Sequence, residues 1–196
     1  MNRQDLTELH YITPIANVPS ILQHGILSHN RVAALPHDSV AMQEIQDLRE
    51  NKAIPGARRL HDYANLYICA RNPMLYKRLD RHAGLCVLRI NTNVLDLPGV
   101  IVSDSNAASQ YVRFAPAPGG LSIVNRERTF ADDWTSPDTI EYYRKKAGKC
   151  AEVLVPDRVD PCHIGGAYVS CEEALARFNA RARGLAAAIN RHVFFL

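Results

Sequence analysis

His61-Asp62-Tyr63-Ala64-Asn65-Leu66-Tyr67-Ile68-Cys69-Ala70-Arg71-Asn72-Pro73-Met74-Leu75-Tyr76 reads as a strand that runs straight into a helix start. Leu66 to Ala70 is an apolar run of strand length. Asn72-Pro73 then gives a helix-start signal: the asparagine oxygen accepts the first orphan N–H groups, and the fixed φ of proline suits the first helical position. Downstream, Leu85 to Ile90, Val100 to Val102, Ala151 to Val155 and His163 to Val169 are predicted strands, and Ala115 to Gly120 is a Pro/Gly loop. Upstream, Leu9 to Ile12 is a strand. A helix follows over Asn17 to His24, with Val18, Ile21 and Leu22 on one face, Gly25 as its stop and Ile26-Leu27 extended beyond it.

Asp38 is a predicted cap for a helix to about Asn51, with loosely spaced apolar positions Val40, Ile45 and Leu48. Residues 53–60 hold Pro55 and Gly56 and read as a loop, and residues 125–135 as a polar surface loop. Ser136-Pro137-Asp138 opens a helix through Lys146, ended by Gly148. Ser170-Cys171-Glu172-Glu173 has the form of a capping box, opening a helix to about Asn190 with Leu175, Phe178, Leu185 and Ile189 on one stripe; His192 to Leu196 is expected at a sheet edge. Strands and helices alternate without a regular βαβ period, which predicts α+β with a mixed sheet. Neither GxGxxG nor GxxxxGK[ST] occurs, which argues against a Rossmann or P-loop site.

The chain of 196 residues is 47% hydrophobic and 22% charged, a globular composition that suits one domain over residues 1–196. No apolar run reaches membrane-spanning length, and the first ten residues carry acids without an apolar core, so the cytosol is the expected compartment and no membrane partner is expected. Five cysteines with no CxxC give no disulfide framework. Cys150, Cys162, His163 and Cys171 match no standard zinc spacing, so no metal is expected. The net charge is +3, yet residues 49–89 hold nine bases against three acids. Such a stretch suits a polyanion-facing surface as well as it suits a solvated helix face.

Four places can carry chemistry. His10, on the first strand, shares a face with Ile12 and can hydrogen-bond ribose hydroxyls, although a strand-edge histidine is more often structural. Arg49 offers a permanent fork for phosphate oxygens, and on its own is one helix arginine among many. Tyr63, Tyr67 and Tyr76 offer stacking faces, with core packing as the plain alternative. Glu152 heads an otherwise apolar strand, where a carboxylate is costly unless it is exposed or hydrogen-bonded; facing a cleft it can stabilise positive charge.

Taken in order, Leu9-His10-Tyr11-Ile12-Thr13, Ile45-Gln46-Asp47-Leu48-Arg49, His61-Asp62-Tyr63 through Asn72-Pro73-Met74-Leu75-Tyr76, and Ala151-Glu152-Val153-Leu154-Val155 resemble the DarT family of DNA ADP-ribosyltransferase toxins. The resemblance implies an ADP-ribosyltransferase-like mixed β-sheet core with peripheral helices and a cleft for NAD, used as co-substrate. It implies catalytic roles for Glu152 and Arg49, NAD contacts from His10, Tyr11, Thr13, Arg49 and Tyr67, and contacts to single-stranded DNA from Arg71, Tyr76, Arg144 and Lys146. Residues 126–149 correspond to the substrate-recognition loop, with Arg144 and Lys146 both candidates for assisting loss of the base proton. The acceptor would be thymine or guanine, and the partner a macrodomain antitoxin on a separate chain. The rival readings are transfer to RNA or protein, plain NAD hydrolysis, and a non-catalytic single-strand-binding module.

Overall fold

The computed structural model describes residues 1–33, 36–39 and 43–196, the side chain of Gln43 excepted. In chain order the elements are β1 (Leu9–Pro14), α1 (Val18–His24), β2 (Ile26–Leu27), α2 (His29–Val32), α3 (Gln43–Glu50), β3 (Tyr63–Tyr67), α4 (Pro73–Tyr76), β4 (Leu85–Ile90), β5 (Ile101–Ser103), β6 (Phe114–Pro116), α5 (Arg126–Phe130), α6 (Thr139–Gly148), β7 (Glu152–Pro156), β8 (Arg158–Val159), β9 (Ile164–Val169), α7 (Glu172–Arg181) and β10 (Ala187–Ile189). Eight strands form one sheet in the order β10-β9-β4-β1-β3-β7-β5-β6, and β2 pairs with β8 in a small second sheet. Every pair in the large sheet is antiparallel except β9–β10, so the sheet is mixed and the architecture α+β, as the irregular alternation of elements predicts.

Alternation along the strands divides the apolar residues between two faces. Leu9, Leu66, Cys86, Leu88 and Val153 belong to the main core with α1 and α7, while Ile12, Tyr67, Val87 and Phe194 pack together on the other side. At 25 cal/mol per Å² these side chains supply most of the folding drive, roughly 1.5–3 kcal/mol each when fully buried. No helix among the described residues is long and apolar enough to cross a membrane.

Several boundaries differ from the sequence expectation. The strand expected at Leu66–Ala70 lies over Tyr63–Tyr67, because its pairing with β7 sets the register from Tyr63↔Pro156 to Tyr67↔Glu152. Residues 115–120 are not all loop: Phe114–Pro116 adds an edge strand to β5, where a proline is tolerated. The segment 125–135 contains α5, capped by Asn125 on the Arg128 amide at 2.9 Å and fastened by the buried Thr129 hydroxyl to the Gly148 carbonyl at 3.2 Å. The C-terminal helix stops at Arg181 and does not run to Asn190. Gly184 turns the chain at φ +88, and Ala187–Ile189 covers the open edge of β9; those ladder bonds outweigh the helix preference of an alanine-rich stretch. Residues 192–196 form a turn outside the sheet.

The capping box at Ser170 is not formed. Cys171 takes the cap position without a side-chain bond, and the buried Ser170 hydroxyl sits 2.8 Å from His82 Nδ1. The Asp38 backbone is held by Asn17, at 2.7 Å through the carbonyl and 3.1 Å through the amide. The segment between Asp38 and α3, with Val40, lies outside the described residues.

Candidate active site

One line of residues crosses the middle of the sheet. Ser103 on β5 faces Glu152 on β7, Glu152 faces Tyr67 on β3, Tyr67 faces His10 on β1, and His10 faces Arg89 on β4. Directly opposed residues project to the same face, so His10, Tyr67 and Glu152 stand side by side although widely separated in sequence.

Glu152 is completely buried, and both oxygens of its carboxylate accept hydrogen bonds. Arg49 Nη1 donates to Oε1 at 3.2 Å and Nη2 to Oε2 at 3.1 Å, and the Ala107 amide donates to Oε1 at 3.1 Å. The Glu152 amide in turn donates to the Ser103 hydroxyl at 3.2 Å. This answers the objection to a carboxylate heading an apolar strand, since three donors replace the lost water. Arg49 projects from the last turn of α3 and is itself buried. Burial opposes its charge, but the charge and hydrogen bonds of Glu152 outweigh this and hold the guanidinium above its ordinary pKa. Burial, and then the Glu152 charge, push the Tyr67 hydroxyl well above the usual tyrosine value.

A cleft of about 490 Å³ opens beside this row, lined among others by Tyr11, Thr13, Arg49, Tyr67 and Lys146. Four of the expected NAD contacts therefore reach its wall. Tyr11 comes from the opposite face of β1, packed on the main core, and burial pushes its hydroxyl up to about 12. Thr13 is buried, 3.4 Å from Asn17 Nδ2. His10 is set back from the wall: its Nε2 lies 3.3 Å from Glu8, and its Nδ1 is buried with no partner among the described residues. Glu8 also accepts from Arg89 at 2.6 Å; burial opposes its ionisation, but hydrogen bonds from His10, Arg89 and Tyr168 prevail and hold its pKa down to about 2. His61 is buried against His29, ring centroids 4.1 Å apart, at the edge of the same cleft.

The expected DNA contacts separate. Lys146 lines the cleft, its Nζ 5.3 Å from the Tyr142 ring centre, whereas Arg144 is exposed and off the cleft wall. Tyr76 is 50% exposed and meets Trp134 and Phe195 edge-on at 5.6 and 5.1 Å. Arg71 lies over the Phe195 ring at 3.9 Å and donates to the Asp132 and His192 carbonyls, so it ties the C-terminal turn to the segment before α6. Within the basic stretch, Arg78 is buried and Arg58 is paired with Asp157, leaving fewer cations open to a polyanion than the charge count implies.

Sequence reasoning missed Ala107, which acts through its backbone amide and carries no side-chain signal, and Lys52, one turn beyond Arg49 on a segment noted only for its charge.

A family model described as DarT, ssDNA thymidine ADP-ribosyltransferase, matches residues 10–194. A DNA ADP-ribosyl transferase–DNA ADP-ribosyl glycohydrolase fusion protein of Thermosipho africanus is 34% identical over 178 residues, covering 85% of this chain and 43% of the fusion. The chain thus spans less than half of that relative. A DNA ADP-ribosyl transferase of Thermus aquaticus is 31% identical over 77% of this chain and 69% of its own length. Among solved structures, Thermosipho africanus DarTG in complex with ADP-ribose superposes with a TM-score of 0.82 at 30% identity, over 96% of this chain and 51% of that one. The fold is shared too with Thermus sp. 2.9 DarT in complex with ADP-ribosylated ssDNA, TM-score 0.79 at 23% identity over 99% of both chains. By the extent of the family match and by the relatives that accompany it, this chain belongs to the DarT family.

Proposed function

We propose that residues 1–196 form one ADP-ribosyltransferase domain that cleaves NAD and transfers ADP-ribose to thymidine in single-stranded DNA. The observation that carries this reading is the row His10–Tyr67–Glu152 on adjacent strands, with Arg49, itself on the wall of a cleft, locked onto the Glu152 carboxylate buried behind it. Thymidine is favoured over guanine by the description of the matching family.

The bond between ribose C1′ and the nicotinamide nitrogen breaks, and nicotinamide leaves neutral with the electron pair. Positive charge grows on the sugar, so a carboxylate aimed there binds the transition state better than the ground state. Glu152 takes that role, exchanging one Arg49 contact for a ribose hydroxyl. Two of the five N–H donors of Arg49 are committed to Glu152, and the others are the donors it can offer to pyrophosphate. Thymidine has a single ring N–H. Its nitrogen forms the new bond to C1′ while the proton passes to solvent, and Lys146 at the cleft wall, in preference to exposed Arg144, assists that loss. Single-stranded DNA presents the base without the cost of opening a duplex. Tyr76 and Arg71 are assigned to the strand beyond the cleft, Tyr76 by its exposed ring.

The companion is proposed to be a macrodomain antitoxin on a separate chain that removes the modification, in line with the glycohydrolase fused to the Thermosipho africanus relative, and the compartment the cytoplasm. The test is NAD labelled in its adenosine half, offered with single-stranded DNA, RNA or protein to the native chain and to Glu152→Gln. Label on thymidine from the native chain, with none from the variant, is the expected result. Label on RNA or protein alone, release of free ADP-ribose alone, or DNA binding with no NAD consumed each overturns it.

A further inference from the structure

We infer that Lys52 is a positioning residue for Glu152, acting through the loop that carries Ala107; this rests on Glu152 being the catalytic carboxylate. Among the described residues, the Ala107 amide is the one backbone donor on that carboxylate, and Ala107 itself is fully buried. With one Arg49 contact given up to the ribose hydroxyl, this amide and the remaining Arg49 bond are what keep Glu152 aimed.

The loop is tied down on both sides of Ala107. The Asn106 amide donates to the Ala147 carbonyl at 3.1 Å, the Ser109 amide closes a turn on the Asn106 carbonyl at 2.8 Å, and the Ala108 amide donates to Asn106 Oδ1 at 2.9 Å. From the segment after α3, Lys52 Nζ donates to the Ser109 carbonyl. Lys52 follows Arg49 by one turn of chain, so the same short segment grips Glu152 twice, directly through Arg49 and indirectly through the loop. The ammonium is half-buried, and burial, then the Arg49 charge, lower its pKa while the Glu152 charge opposes this. A lysine held there against a like charge is fastened by its bond to the Ser109 carbonyl.

The experiment compares Lys52→Met, Lys52→Gln and Lys52→Arg in transfer to single-stranded DNA. Lys52→Met should lower kcat by up to about a hundredfold, with KM for NAD within about threefold of the native value, because the donor on the carboxylate loses its aim while the binding cleft keeps its walls. That split between kcat and KM is a change that mere loosening of the fold does not produce. Lys52→Arg, and in part Lys52→Gln, keep a donor for Ser109 and should restore kcat. Should Lys52→Met fail to fold, the Arg and Gln variants carry the test against native protein. Native kcat in Lys52→Met, a KM for NAD that rises in step with the loss of kcat, or a Gln variant as impaired as Met each overturns the inference. Normal transfer by Glu152→Gln would instead end the underlying assignment, so the two failures are told apart.

Discussion

The guanidinium of Arg49 grips both oxygens of Glu152, at 3.2 and 3.1 Å, from a helix more than a hundred residues away in sequence. With both side chains buried, neither charge has water to fall back on. Removing one partner alone, as in Arg49→Met or Glu152→Leu, should cost about 3–5 kcal/mol in urea unfolding. The double variant should recover much of that loss, giving a coupling energy outside the additive range. Additive single costs would mean that the pair is absent in solution.

Tyr67 stands between His10 and Glu152 and lines the cleft, so its ring is the feature that matters for ligand packing. Tyr67→Phe should keep KM for NAD near the native value, whereas Tyr67→Ala should raise it by about tenfold or more, as loss of a buried aromatic face does. Steady-state kinetics with saturating DNA measures both.

Glu8 contributes a pH-dependent share of stability. Its carboxyl titrates near 2 when folded, against 4.5 for the unfolded group. The contribution is complete above about pH 4.5 and is lost as pH falls toward 2. Native protein should therefore lose more thermal stability than Glu8→Gln between pH 4.5 and 2, and parallel Tm curves across that window would remove the network from consideration.

Lys146 reaches the cleft and Arg144 does not. Lys146→Ala should cut transfer to thymidine by about a hundredfold or more while NAD affinity holds. Arg144→Ala should cost less and show mainly as a weaker salt dependence of DNA binding. The reverse ranking would move the proton-handling role outside the cleft.

Asn72 caps α4 through the Met74 and Leu75 amides at 3.0 and 3.1 Å. Asn72→Ala should destabilise by about 1 kcal/mol, and more if the Cys69 carbonyl it also serves is left without a donor. Thermal unfolding checks this without reference to activity.

What could be read in advance was local. The apolar strand at Leu85–Ile90, the stop at Gly25, the Asn72-Pro73 cap and the Asp138 start are consequences of neighbours in the chain, and each is in place. In several of the readings that missed, distant pairing overrode a local preference. Ala187–Ile189 left the helix to cover β9, Ser170 gave up a cap to bind His82, and β3 shifted to meet β7.

The sequence by itself determined the α+β mixture, the order of motifs and the residue types available for chemistry on NAD. Only the tertiary structure decided that His10, Tyr67 and Glu152 share one line, that Arg49 closes on the carboxylate, and that a bare amide at Ala107 completes the cage. The reason is that strand register and backbone donors are set by cross-sheet hydrogen bonds between remote segments, and the pattern of side chains along one segment carries no record of which partner strand it will face.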